Sequence, residues 1–261
     1  MNHPAELKVH QYMSDAVNGK STMSEEVIDQ VGNDVKDALR KQFGGGNQRG
    51  EFRLRMSNLG RPTCQLWFEK NKPELASPKP NNFMINMMLG DIVEAVFKGL
   101  LRGAGVKYEE PEHVSLDVDG TTISGTYDLV VDGAVDDVKS ASGWSYDNKF
   151  VNYETLREGD AFGYVSQLIG YAKAAKKKIG GWWVVNKANG KFKYVSAQNA
   201  DADYEMRRIR ATVETVKHNK FERCFEDSAE TWRGKPTGNR RLGITCGFCD
   251  YKHACWENLK E

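Results

Sequence analysis

The chain has no run of eighteen apolar residues, which excludes an ordinary membrane-spanning helix. Its first residues, MNHPAELKVH, contain no apolar leader. The expected location is therefore the cytoplasm, or the host's cytoplasm if a phage encodes the protein. Net charge is almost absent: 37 Lys and Arg against 36 Asp and Glu leave +1. Nothing global marks a nucleic-acid binder, so any phosphate contact must come from local patches. Cysteine is scarce and odd in number, at five. Without a leader these read as thiols or metal ligands rather than disulfides. No internal repeat is present. What remains is 261 residues, enough for one large domain or two small ones around a sizeable core.

The most informative stretch is Ile123 to Ser140, ISGTYDLVVDGAVDDVKS. Ile123–Val131 is rich in β-branched and aromatic residues, Ala134–Val138 is a second apolar run, and Asp132-Gly133 between them is a strong hairpin-turn signal. The charges do not suit an ordinary hairpin. Asp128 interrupts the first strand, and Asp137 and Lys139, two apart, share a face of the second. Acids inside an apolar strand cost free energy unless paired or bound to metal. Two carboxylates on neighbouring strands can hold Mg²⁺ or Mn²⁺ through hard oxygen ligands. A lysine beside them can orient water or stabilise developing charge. A solvated surface hairpin with an Asp–Lys ion pair is the plain alternative.

Around this stretch the chain reads as alternating elements. Residues 1–20 lack a strong signal and are expected to be poorly ordered. Thr22 to Glu25 has the form of a capping box, and apolar residues at helical spacing follow as far as Phe43. Gly44 to Asn47 reads as a hinge. Together these make residues 1–50 an N-terminal helical appendage to a domain spanning 51–261. Met56–Glu69 is a turn leading into an amphipathic helix that carries Cys64, and Lys72–Pro80, with three prolines, is a loop. Phe83–Arg102 is a strong helix with an apolar stripe from Ile85 to Leu100, and it contains Glu94. Strands are expected at Val106–Glu110, His113–Val118, Trp182–Asn186 and Phe192–Val195. Helices are expected at Gly159–Lys178 and Ala202–Lys217. The segment Trp232–Arg241 reads as glycine-rich, basic and irregular. This order argues for an α/β core with a mixed sheet.

Four cysteines form a spaced set: Cys64 far upstream, then Cys246-x-x-Cys249 and Cys255. A C-x-x-C turn can clamp one metal or cluster corner while two further thiolates complete the shell. A structural Zn²⁺ or an iron–sulfur cluster would both satisfy this set. Cys224 is left over and reads as a core residue. Local positive charge gathers at Arg49, Arg53, Arg55 and Arg61, at Lys176 to Lys178, and at Arg233, Lys235, Arg240 and Arg241. Such clusters could neutralise phosphates along a DNA channel. Trp182 and Trp183 read as core, and Trp232 as a ring that could stack a base.

Gly125-Thr126-Tyr127-Asp128 followed by Asp137-Val138-Lys139 resembles the PD-(D/E)xK nuclease superfamily. Further motifs in the same order resemble its RecB-like branch. These are Gly90 to Glu94 on a helix before the hairpin, and Gln167-x3-Tyr171 on the helix after it. The one-plus-three cysteines are similar to the 4Fe–4S staple of CRISPR-associated, helicase-associated and phage RecB-type nucleases. The likeness covers roughly residues 52–256. It implies a restriction-endonuclease-like α/β fold, a central mixed sheet flanked by helices, with an iron–sulfur region joining the chain ends. It also implies a metal-dependent DNA exonuclease in recombination, repair or phage DNA processing. Glu94, Asp128 and Asp137 would bind Mg²⁺ or Mn²⁺, with the Val138 carbonyl as a further ligand. Lys139 would orient water, and Gln167 and Tyr171 would support the site and the DNA. Cys64, Cys246, Cys249 and Cys255 would hold the cluster. Many members have histidine where this chain has Glu94, a departure that favours Mg²⁺. The implied partners are DNA and a single-strand-annealing, helicase or other recombination protein. The rival functions are a structure-specific endonuclease and a non-catalytic DNA-binding protein stapled by zinc or iron–sulfur.

Overall fold

A computed structural model describes residues 3–44 and 50–256. Gly45, Gly46 and Asn47 of the expected hinge, and Arg49 of the basic set, lie outside the described residues. The chain opens with α1 (Pro4–Val17), where the sequence pattern suggested poor order. His3 caps it, its Nδ1 accepting from the Ala5 amide at 3.2 Å, and Pro4 supplies the fixed φ of a first helical turn. Ala5 and Val9 are buried in one cluster with Phe97, Leu101 and Trp183. That tertiary burial orders a helix whose own pattern is weak.

Next comes α2 (Glu25–Phe43), capped by Ser24, whose Oγ accepts from the Val27 amide at 3.4 Å. A single turn at Met56–Asn58 precedes α3 (Thr63–Asn71). The long α4 (Asn82–Gly103) follows, and α2 packs along it. The strands are β1 (Tyr108–Glu109), β2 (His113–Val118), β3 (Thr121–Thr126), β4 (Leu129–Val131) and β5 (Ala134–Ala141). Three helices come next, α5 (Gly143–Asn148), α6 (Tyr153–Glu158) and α7 (Tyr164–Ala175), and then β6 (Lys178–Asn186) and β7 (Phe192–Ser196). The chain ends through α8 (Ala202–His218), β8 (Ser228–Trp232), β9 (Lys235–Arg241), α9 (Ile244–Gly247) and α10 (Lys252–Cys255).

Five strands form the central sheet in the order β1-β4-β5-β6-β7. Only β5 and β6 pair in parallel, so the sheet is mixed. The Asp132-Gly133 turn has positive φ at both residues, 50° and 74°, the form that matches strand twist in a two-residue hairpin. Ile123–Val131, however, is two strands. β3 pairs with β2 in a separate ribbon, and β4 pairs with β5. The break falls at Tyr127-Asp128, because the Asp128 carboxylate takes the Val138 amide at 2.8 Å in place of a backbone acceptor.

Alternation along the strands sends neighbours to opposite faces. Trp182 joins the core with Met56, Ile123, Leu168 and Ile209, while Trp183 joins the one with Phe97, Leu101 and Val9. Both indoles are fully buried, as expected for core residues. The expected Gly159–Lys178 helix is shorter at both ends. Asp160 accepts from the Tyr164 and Val165 amides, each at 2.9 Å, and starts α7 there. Lys176, at φ 55°, ends it, so Lys178 belongs to β6. The segment expected to be irregular is instead the β8–β9 hairpin, turning at Arg233-Gly234, both with positive φ.

Candidate active site

The hairpin places the first three groups. Asp137 and Lys139 lie on the same side of β5, and Lys139 Nζ donates to Asp137 Oδ1 at 2.8 Å. The ammonium is also 2.6 Å from Oδ2, a charge contact without hydrogen-bond direction. Asp137 is buried, so its second oxygen lacks a directed donor. Burial pushes the Asp137 carboxyl up, against the pull of Lys139. Burial likewise pushes Asp128 up to about 6, helped by the nearby Asp137 charge and opposed by Lys139. Lys139 sits above its usual range: burial alone would lower it, but Asp137 and Asp128 outweigh that.

Glu94 arrives from α4. Burial raises its pKa, and the Asp128 charge adds to that, so the glutamate feels the hairpin's acids directly. It is paired with Lys98, one turn along the same helix, at 2.5 Å. Lys98 is buried and also acts on Asp128 and Asp137. Sequence reasoning missed it, although the i, i+4 spacing from Glu94 was available as a signal. The second residue missed is Tyr164, whose ring lies 5.0 Å from Lys139 Nζ. It shares a helical face with Gln167 and Tyr171, at spacings of three and seven.

Gln167 and Tyr171 border this cluster. The Gln167 side chain bonds the Tyr171 hydroxyl, and Tyr171, raised to about 12 chiefly by burial, senses Asp128, Asp137 and Lys139. The Tyr171 ring sits against Gly125, where an added Cβ would stand 2.9 Å from the ring. The glycine of the Gly125-Thr126-Tyr127-Asp128 motif is therefore the seat of the motif tyrosine. On the opposite face of β5, Asp136 accepts from the Gly181 amide at 2.8 Å, Trp183 Nε1 at 3.0 Å and the Tyr194 hydroxyl at 2.8 Å. It is fully satisfied and serves the core.

The cysteines converge from the two ends of the chain. Cys64, Cys246, Cys249 and Cys255 line one cavity with the apolar side chains of Phe68, Phe225 and Trp256. The C-terminal segment is tied to the α3 region by stacking of Phe68 on Tyr251 at 5.3 Å. The Lys79–Asp250 ion pair and the bonds from Arg223 to the Cys255 carbonyl strengthen the tie. Cys224 is exposed rather than core. Its Sγ accepts from the Cys64 amide at 3.2 Å and lies 3.3 Å from Thr63 Oγ1. Among the described residues, no three His, Cys, Asp or Glu side chains stand close enough together to hold a metal ion as placed. The donor chemistry still fits in both places: clustered carboxylates with an undirected buried oxygen for a hard cation, and four free thiols for a soft one.

Much of the expected basic charge is already neutralised. Arg61 pairs with Glu69, Lys177 with Glu109, and Arg240 with Asp227. Trp232 is exposed on β8, far along the chain from the hairpin's acids.

A mixed α/β sheet gathers Asp128, Asp137 and Lys139 at the β4–β5 hairpin, beside Glu94 of α4. The family model of the PD-(D/E)XK nuclease superfamily matches residues 9–256, and the chain belongs to that superfamily. Its members are nucleases that commonly use Mg²⁺ or Mn²⁺. No curated protein matches the sequence. Three chains of solved structures match, among them the crystal structure of SSO0001. That likeness has a TM-score of 0.50 at 15% identity and covers 87% of this chain and 96% of the other. It supports the fold alone. Among the described residues no helix is long and apolar enough to cross a membrane.

Proposed function

We propose that the protein is a metal-dependent DNA exonuclease of the RecB-like, iron–sulfur branch. The observation that carries this reading is the pairing of Asp137 with Lys139 beside an Asp128 fixed by the Val138 amide. Glu94, Asp128 and Asp137 would hold the cation, with the Val138 carbonyl as a further ligand. When bound, a divalent cation supplies an acidified water and polarises a phosphoryl oxygen. Lys139 orients the attacking water and compensates the charge that develops on the phosphoryl oxygens. Water oxygen bonds to phosphorus, the P–O3′ bond breaks, and a proton passes to the 3′ oxygen, leaving a 5′-phosphate. Gln167 and Tyr171 hold the hairpin's acids in place from α7. Cys64, Cys246, Cys249 and Cys255 would hold a 4Fe–4S cluster that staples the chain ends. The setting is recombination, repair or phage DNA processing in the cytoplasm, alongside a helicase or single-strand-annealing partner.

The test is digestion of linear, circular and end-labelled DNA with Mn²⁺, with Asp137→Ala and Lys139→Ala in parallel. Release of nucleotides from linear but not circular DNA is the expected result. Both variants should lose on the order of 10²-fold in rate while still binding DNA. Only Asp137→Ala should bind Mn²⁺ poorly in calorimetry. Full activity in either variant would remove the hairpin as the active site, and cutting of circular DNA would make the enzyme an endonuclease. Protein prepared without oxygen should be brown and contain iron; stoichiometric zinc without iron would overturn the cluster.

A further inference from the structure

Beside the hairpin lies an open cleft of about 1080 Å³ between α5, the α6–α7 loop and the C-terminal segment. Three aromatic rings on its walls face water. Trp144 is 66% exposed, Phe162 38% and Phe248 65%. Large rings left this open in one cleft cost hydration free energy and mark a surface that is covered by something.

The rings also lead somewhere. The Phe248 ring centroid lies 5.6 Å from that of Phe162, and Phe162 lies 5.7 Å from Tyr164 in a stacked arrangement. Tyr164 in turn faces Lys139 Nζ at 5.0 Å. A file of rings thus runs from the C-terminal cysteine segment to the lysine assigned to the reaction. Cations flank it. Lys149 Nζ lies 5.0 Å over Phe162, and Arg61, Arg157 and Arg208 line the same cleft. Among the described residues two acids line the cleft: Asp160 has both oxygens committed to the α7 amides, and Glu158 is exposed at the rim beside Arg157 in sequence. Arg61 and Arg208 are partly neutralised by Glu69 and Glu205.

Exposed rings interleaved with cations suit one ligand chemistry above others. A duplex hides the faces of its bases in its own stack and offers only phosphates, for which cations suffice. A single strand offers unstacked bases to rings and phosphates to cations together. We propose that this cleft binds single-stranded DNA, with bases stacked on Trp144, Phe162 and Phe248 and the strand delivered to Lys139. The inference rests on the nuclease reading and names the form in which the substrate reaches that site.

The experiment measures binding of oligothymidylate of about 15 nucleotides, and of a duplex of equal length, by fluorescence anisotropy in EDTA. Without metal, binding is read apart from cleavage. Trp144→Ala and Phe162→Ala should each weaken single-strand binding about 10-fold and leave duplex binding within about twofold. Phe248→Ala should act likewise, and thermal melting shows whether each variant is folded. Unchanged single-strand affinity in folded Trp144→Ala and Phe162→Ala would overturn the proposal. Equal losses on both DNA forms would overturn it too, as would stronger binding of an unrelated acidic polypeptide than of the oligonucleotide. Cleavage by the wild-type protein with Mn²⁺ is scored separately. Its absence defeats the nuclease reading, whereas cleavage with insensitive ring variants defeats only the cleft.

Discussion

Lys98 Nζ lies 2.5 Å from Glu94 Oε1, so a buried ammonium holds one of the three acids assigned to the cation. A divalent ion arriving at Glu94 must compete with that ammonium. Lys98→Met should leave the acid cluster without this compensating charge and bind Mn²⁺ about 10-fold more tightly. The same variant should melt at a lower temperature in EDTA, because it leaves the half-buried Glu94 carboxylate unpaired beside Asp128, and recover when Mn²⁺ is added. Calorimetry with Mn²⁺ and melting with and without the ion check both. Unchanged Mn²⁺ affinity would mean that Lys98 serves only the helix.

Gln167→Ala should slow DNA cleavage less than Asp128→Ala does. Gln167 acts on the site through the Tyr171 hydroxyl, whereas Asp128 lies among the acids themselves. Steady-state cleavage of labelled linear DNA by the two variants is the comparison. Equal abolition would place Gln167 among the residues that touch metal or substrate.

Gly60→Ala should destabilise the fold. A Cβ at Gly60 would stand 2.4 Å from the Gly163 Cα, a backbone atom that cannot swing away. The strain should be about 2 kcal/mol, or about 5 °C in melting temperature. Gly159→Ala is the control. Its nearest neighbours would be the Lys149 Cε at 3.6 Å and the Thr155 carbonyl oxygen at 3.7 Å, ordinary contacts, so its melting point should hardly move.

His3 gives an acid-sensitive contribution to stability. Its Nδ1 must be unprotonated to accept from the Ala5 amide, and its ring packs on Tyr194 and Trp183. Burial holds its pKa below 6.5, while Asp132 and Glu6 pull the other way. Below that value the unfolded chain binds the proton more readily than the folded one. Stability is therefore present above about pH 6.5 and falls as the pH drops towards the folded pKa. Asp136, raised by burial to about 7, works in the opposite sense and is present alike in the wild type and in a His3 variant. His3→Asn keeps a capping acceptor without the titration. The melting temperature lost between about pH 7.5 and about pH 5.5 should be smaller in the variant than in the wild type.

Much of the site could be read in the sequence because its spacing is local. Asp137 and Lys139 share a face through the two-residue period of a strand, and the Asp132-Gly133 turn sets their register against β4. Gln167 and Tyr171 share a face through the helical period, and the Phe83–Arg102 helix and the Ala202–Lys217 helix came out within a residue of where their apolar stripes put them. Each of these relationships is fixed by backbone geometry over fewer than ten residues or by a stripe that one buried face enforces.

What the sequence by itself determined, then, is the hairpin, the long helices, the α/β class and the motifs that resemble the superfamily. The tertiary structure alone decided everything that depends on distant partners. It split Ile123–Val131 at Asp128, because the carboxylate is taken by an amide on the next strand. It ordered α1, whose weak amphipathic pattern counts for little until Ala5 and Val9 meet Trp183. It brought Cys224 against Cys64 across 160 positions of chain, and set Phe248 beside Phe162. Such contacts follow from how whole layers pack, and burial across those layers, rather than local periodicity, selects them.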